Sequence, residues 1–80
     1  MKVKLVAYGI ARDILNGSEQ DFKLKSPASI SDLKHQLMTK FPAFKALRSL
    51  RFAVNEDYQM DTYQLQEDDE VVIIPPVSGG

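Results

Sequence analysis

The chain has 80 residues, below the usual domain size of about 100–150, so it has room for one small core and not for a second domain. Its 44% hydrophobic and 26% charged residues are those of a compact globular protein, while the absence of cysteine and the single histidine, His35, exclude disulfides, cysteine zinc sites, thiol nucleophiles and paired-histidine metal sites, and with them most self-contained enzymes. The net charge of −1 hides a segregation: all ten Lys and Arg fall in residues 1–54 beside four acids, giving +6, and the remainder carries seven acids and no base, giving −7.

Residues 2–8 alternate Val3, Leu5 and Ala7 with Lys4, Val6 and Tyr8, the period of a strand. Gly9 breaks it, and Ile10 and Ile14 lie one helical turn apart before Asn16-Gly17, so a short helical turn is expected over 10–15. Phe22 and Leu24 alternate with Asp21, Lys23 and Lys25 in a second strand that Ser26-Pro27 ends. The clearest helix follows. Ser29 can cap it, Asp32 falls in its first turn, where negative charge suits the dipole, and Ile30, Leu33, Leu37 and Met38 line one face up to Phe41-Pro42.

A further small helical stretch is expected around 43–47, then a strand over 51–54, a turn at Asn55-Glu56-Asp57 and a short strand over 58–60. The acidic run 66–70 precedes Val71-Val72-Ile73-Ile74, a β-branched strand that Pro75-Pro76 stops by removing two backbone donors. Strand, strand, long helix and three strands make an α+β domain, a mixed sheet with one main helix across one face.

Most candidate chemistry dissolves on inspection. His35 lies off the apolar face of its helix and reads as a surface histidine rather than part of a catalytic triad. The run Glu67-Asp68-Asp69-Glu70 lacks calcium-loop spacing and reads as a solvated acidic turn, with a docking patch for a basic groove as the alternative. The glycines form no phosphate loop. The mixed surface with a local acidic patch argues against nucleic acid and anionic membrane as partners. No apolar run approaches the roughly 18–20 residues of a membrane span, and residues 1–6 lack a signal peptide's apolar stretch, so a cytoplasmic location is expected.

Two features stand apart. At about 7% glycine usage, two terminal glycines coincide by chance in roughly 0.5% of chains, which leaves a functional end or the remnant of a linker. Without Cβ atoms, Gly79-Gly80 can thread a narrow channel, and four extended residues reach roughly 13–14 Å beyond the prolines, which stiffen the root. Second, the first and last strands are apolar on both faces. With Val3, Leu5, Ala7, Val71 and Ile73 turned to the helix, Val6, Tyr8, Val72 and Ile74 point the other way. Either Tyr58, Met60 or Tyr63 folds over that face, or it is a protein-binding patch at the base of the tail, with Pro75 and Pro76 at its edge.

This order of elements, with Tyr8 ending the first strand, the Arg12-Asp13 pair, the Ser29-capped helix, Ala53-Val54-Asn55 before a turn and the ending Pro75-Pro76-Val77-Ser78-Gly79-Gly80, resembles the MoaD/ThiS ubiquitin-like family, in particular the sulfur-carrying small subunits of molybdopterin synthase. The tail is the specific part; one departure is Asp68, where the family often has glycine. The resemblance implies a β-grasp domain over 1–76 and a flexible tail over 77–80. It implies that Gly80 is adenylated by a ubiquitin-activating-type (MoeB-like) enzyme and converted to a thiocarboxylate, with sulfur from a donor protein. The sulfur then passes to a pterin precursor on the large (MoaE-like) subunit. Val77, Ser78 and Gly79 would thread the partner's channel, and Val6, Tyr8, Val72, Ile74, Pro75 and Pro76 would form the docking patch. ATP and the pterin would be bound by partners, with no cofactor or metal held by this chain and no catalytic side chain of its own. The rivals are a carrier for thiamin-thiazole synthesis, a ubiquitin-like modifier joined to lysines through Gly80, and a plain interaction domain.

Overall fold

The alternating residues at the start of the chain form β1 (Lys2–Ala7), the second of five strands in a mixed sheet ordered β2-β1-β5-β3-β4. The computed structural model describes residues 1–47 and 49–76. After β1 come α1 (Gly9–Leu15), β2 (Glu19–Lys23), α2 (Ile30–Lys40), a 3-10 turn (Pro42–Ala46), β3 (Arg51–Val54), β4 (Asp57–Gln59) and β5 (Glu70–Ile74). β1 pairs antiparallel with β2 and parallel with β5, and β5 pairs antiparallel with β3, which forms a hairpin with β4. A central parallel pair flanked by two antiparallel partners, with a helix across one face, is the β-grasp arrangement that the resemblance implies.

The helix starts where its capping chemistry places it. Ser29 Oγ accepts from the Asp32 backbone N–H at 3.2 Å, and Asp32 Oδ2 accepts from the Ser29 N–H at 2.9 Å, a reciprocal box contributing on the order of 1 kcal/mol. Ile30, Leu33 and Leu37 are fully buried, and Phe41, followed by Pro42, ends the helix. These residues meet Val3, Leu5, Ala7, Phe52, Val71 and Ile73 from the inner sheet face, and Phe44 from the 3-10 turn closes the core. Asn16 stops α1 in the left-handed region, at φ 63°. Asn55 and Glu56, at φ 48° and 78°, supply the two positive φ values that a tight two-residue hairpin requires.

Two expectations shift. β2 spans Glu19–Lys23 rather than 21–25, because the ladder runs from Glu19 opposite Val6 to Lys23 opposite Lys2, so the partner strand and not local hydrophobicity or Pro27 sets both boundaries. β4 spans Asp57–Gln59, one residue early, since the hairpin turn uses only Asn55 and Glu56. Asp68 takes φ 64°, the left-handed conformation that a glycine at this position would adopt, and Asp tolerates it better than most side chains.

Candidate functional site

β5 runs between β1 and β3, and its parallel pairing with β1 brings Ala7–Tyr8 and Ile74–Pro76 to the same end of the sheet. The chain therefore passes into Pro75-Pro76 from the middle strand of the sheet, not from an edge strand. Because side chains alternate, the outer face carries the row Glu19, Val6, Val72, Ala53 and Tyr58 across the five strands, with Ile74 and Arg51 paired in the next row toward the tail.

Tyr8 is 62% exposed, and Val72, Ile74, Pro75 and Pro76 are half-buried. Val6 departs from expectation: it is only 8% exposed. Its strand has neighbours on both sides, and the same face carries the longer Lys4, Tyr8 and Glu19 around it, with Lys4 Nζ 3.3 Å from Glu19 Oε1. Val6 belongs to the body of the sheet rather than to an accessible patch. Tyr58 and Met60, 69% and 79% exposed, do not fold over the face. Tyr63 packs on the opposite side, against the helix-facing core. An apolar band of Tyr8, Val72, Ile74 and Tyr58 stays open to solvent.

Beside that band, Ser49, Arg51, Tyr58, Ile74, Pro75 and Pro76 line a groove of 310 Å³ at the tail root. Arg51 and Ser49 were not among the sequence-based candidates. Arg51 shares parity with Ala53 along β3, which marks it as outward, but only the register with Ile74 brings it to the prolines. A larger cleft of 840 Å³, lined in part by Lys2, Lys23 and Lys25, opens at the other end of β1, away from the tail. Val77, Ser78, Gly79 and Gly80 lie outside the described residues.

The acidic run also sits at that far end, because it precedes β5. Its reading as a solvated turn holds for Glu67, Asp68 and Glu70, which are exposed, and fails for Asp69, which is 6% exposed. The Asp69 carboxylate accepts from the Gln66 N–H at 2.8 Å, Asn55 Nδ2 at 2.9 Å and the Tyr63 hydroxyl at 3.5 Å. Asn55 Oδ1 in turn accepts from the Glu70 N–H at 3.0 Å. This network ties the β3–β4 turn and the preceding loop to the start of β5. Burial raises the Tyr63 phenol above its ordinary pKa, and the adjacent Asp69 carboxylate adds to the shift.

His35 is exposed, and among the described residues no three His, Cys, Asp or Glu are arranged to hold a metal ion. No described helix is long and apolar enough to cross a membrane. The described residues thus place an exposed apolar band and a groove at the end of the sheet where β5 leads into Pro75-Pro76.

Comparison with known proteins agrees with this geometry. The ThiS family model matches residues 7–80. The molybdopterin synthase sulfur carrier subunit of Chlamydomonas reinhardtii is 35% identical, with the alignment covering 100% of both chains. In structure, subunit 1 of a molybdopterin converting factor from Pyrococcus furiosus superposes with a TM-score of 0.88 at 24% identity, covering 96% of this chain and 99% of that one. A chain from the complex of subunits 1 and 2 of the molybdopterin-converting factor of Helicobacter pylori gives a TM-score of 0.68 at 22% identity, covering 100% of both. The two structural likenesses speak for the fold.

Proposed function

Because the chain belongs to the ThiS family, we propose that it is a protein sulfur carrier for molybdopterin synthesis, with Gly80 as the reacting group. The observation that carries this reading is the end-to-end similarity to a molybdopterin synthase sulfur carrier subunit. It is supported by the sequence Pro75-Pro76-Val77-Ser78-Gly79-Gly80, which comes directly after β5 in the chain.

The chemistry follows from what a carboxylate lacks. It is a poor electrophile, so a partner of the ubiquitin-activating type joins the Gly80 carboxylate to the α-phosphate of ATP, releasing pyrophosphate. A persulfide sulfur of a donor protein then attacks the acyl carbon and AMP leaves, and a thiol of the donor or another partner cleaves the S–S bond of the resulting acyl disulfide, leaving sulfur on the acyl group and a disulfide on the thiol side. The resulting thiocarboxylate carries sulfur on the main chain, which agrees with a sequence that has no cysteine. The large synthase subunit would bind the pterin precursor that receives it. The complex of subunits 1 and 2 of the molybdopterin-converting factor from Helicobacter pylori supports such a partner.

The domain's own part is positional. Tyr8, Val72 and Ile74 supply apolar contact, and Pro75-Pro76 limits the chain freedom lost when the tail is threaded. The test is an intact mass after incubation with ATP, a sulfur source and host extract. The reading expects replacement of one oxygen by sulfur, located at Gly80 by fragmentation. An unchanged mass overturns it, and an isopeptide ladder without thiocarboxylate would replace it with the modifier reading.

A further inference from the structure

Arg51 is an outward-facing cation at the groove beside Pro75-Pro76. It stands across from Ile74 in the β3–β5 ladder, is exposed, and has no ion-pair partner among the described residues. It forms a shared wall between the groove against Pro75-Pro76 and a second groove of 280 Å³ that runs along β4. The one carboxylate lining that second groove, Asp61, is already engaged by Lys34 Nζ at 3.1 Å. A guanidinium flanked by Tyr58, Ile74 and two prolines has low-dielectric walls on one side and five donors to satisfy. The acidic residues of this chain's C-terminal third do not meet that need, since Glu56, Glu67, Asp68 and Glu70 lie at the opposite end of β3 and β5.

We propose that Arg51 is a specificity-determining anchor of the docking face, taking an Asp or Glu side chain of the partner protein into the groove beside Pro75-Pro76. A planar carboxylate fits the guanidinium fork in a bidentate contact, and the apolar walls exclude the water that would screen it. The apolar band supplies non-directional contact area, and this ion pair sets which way the partner sits on it. The tail is thereby aimed toward the partner's channel rather than merely held near it. The proposal rests on the sulfur-carrier reading for the identity of the partner.

The experiment measures binding of the full chain to its cognate large synthase subunit, for wild type, Arg51→Lys, Arg51→Gln and Arg51→Glu, each with and without residues 79–80. At low salt Arg51→Gln should raise Kd by about tenfold and Arg51→Glu by about a hundredfold or more, with Arg51→Lys intermediate because it keeps the charge and loses the fork. The gap between wild type and Arg51→Gln should narrow at high salt, and the same losses should appear in the chains lacking residues 79–80. Unfolding midpoints should not move, since the side chain is exposed. Equal affinities for wild type and Arg51→Gln overturn the proposal and leave the carrier reading standing. Losses that vanish without residues 79–80 also overturn it, by showing that Arg51 holds the chain's own terminus. A wild-type chain that does not bind the large subunit overturns the proposal together with the reading beneath it.

Discussion

Replacing Asp69 by Ala removes the most connected polar group in the domain, and the structure fixes the size of the effect. Two short hydrogen bonds to a carboxylate are lost, from the Gln66 N–H at 2.8 Å and Asn55 Nδ2 at 2.9 Å. Each such bond is worth about 1.5–3 kcal/mol, and the 3.5 Å contact with the Tyr63 hydroxyl adds little. Gln66 and Asn55 are themselves exposed and can turn to water once the carboxylate is gone, so the low end applies, about 3 kcal/mol. A domain of this size has a total stability of about 4–12 kcal/mol, which makes that loss severe but survivable. It corresponds to a fall of about 12–24 °C in Tm. Urea denaturation of wild type, Asp69→Ala and Asp69→Asn measures it. The Asn variant should fall between the others, because it keeps an acceptor oxygen but turns an NH2 toward one of the donors. Amide exchange should accelerate first at Glu70, which donates to Asn55 Oδ1, and at Lys4, whose N–H donates to the Asp69 carbonyl at 2.9 Å. A loss below about 1 kcal/mol with unchanged exchange at those amides would falsify the view that this carboxylate organises the far end of the sheet.

Other outcomes follow from the same geometry. Tyr8→Asp should leave the unfolding midpoint in place while abolishing partner binding, whereas Val6→Asp, at a position 8% exposed, should cost several kcal/mol; the reverse pattern in denaturation and pull-down would invert the assignment of the face. Tyr63 is held protonated above its ordinary value of 10.0, so its contribution is complete below about that pH and is lost as pH rises through the folded-state pKa. Wild type should then lose stability relative to Tyr63→Phe above pH ~10; parallel pH profiles for the two would remove Tyr63 as the cause. Deleting Gly80 shortens the reach of the tail by about 3.3–3.6 Å, and sulfur transfer should vanish with the melting curve unchanged. A C-terminally extended chain that supports full cofactor synthesis without being trimmed would show that Gly79-Gly80 is only a flexible end.

How far these features could be read from residues alone differs by element. The α2 start was legible because Ser29 and Asp32 are a local motif, and β3 because Arg51–Val54 sits between clear breaks. The boundaries of β2 and β4 were not, since a ladder partner and a two-residue turn decide them. Asp69 was misread with its neighbours as solvated, although a signal existed: counting back by twos from Ile73 and Val71 reaches Asp69, so strand alternation alone turns it inward. The apolar outer face was legible as a pattern, yet the burial of Val6 and the approach of Arg51 to the prolines needed the register of strands far apart in sequence. The proposed reacting group is the reverse case, since Gly79-Gly80 announces itself in composition and lies outside the described residues.

The position of β5 bears on how the domain withstands force. In the proposed role, a partner that threads and then releases the tail would pull on Ile74 along the strand axis. β5 is paired at four positions with β1 on one side and four with β3 on the other, so that load shears both ladders at once instead of unzipping them bond by bond. A tail leaving from β2 or β4 would load the ladder to a single neighbour. On the sulfur-carrier reading, a tail drawn into and out of successive partners would be tethered to a strand held on both sides.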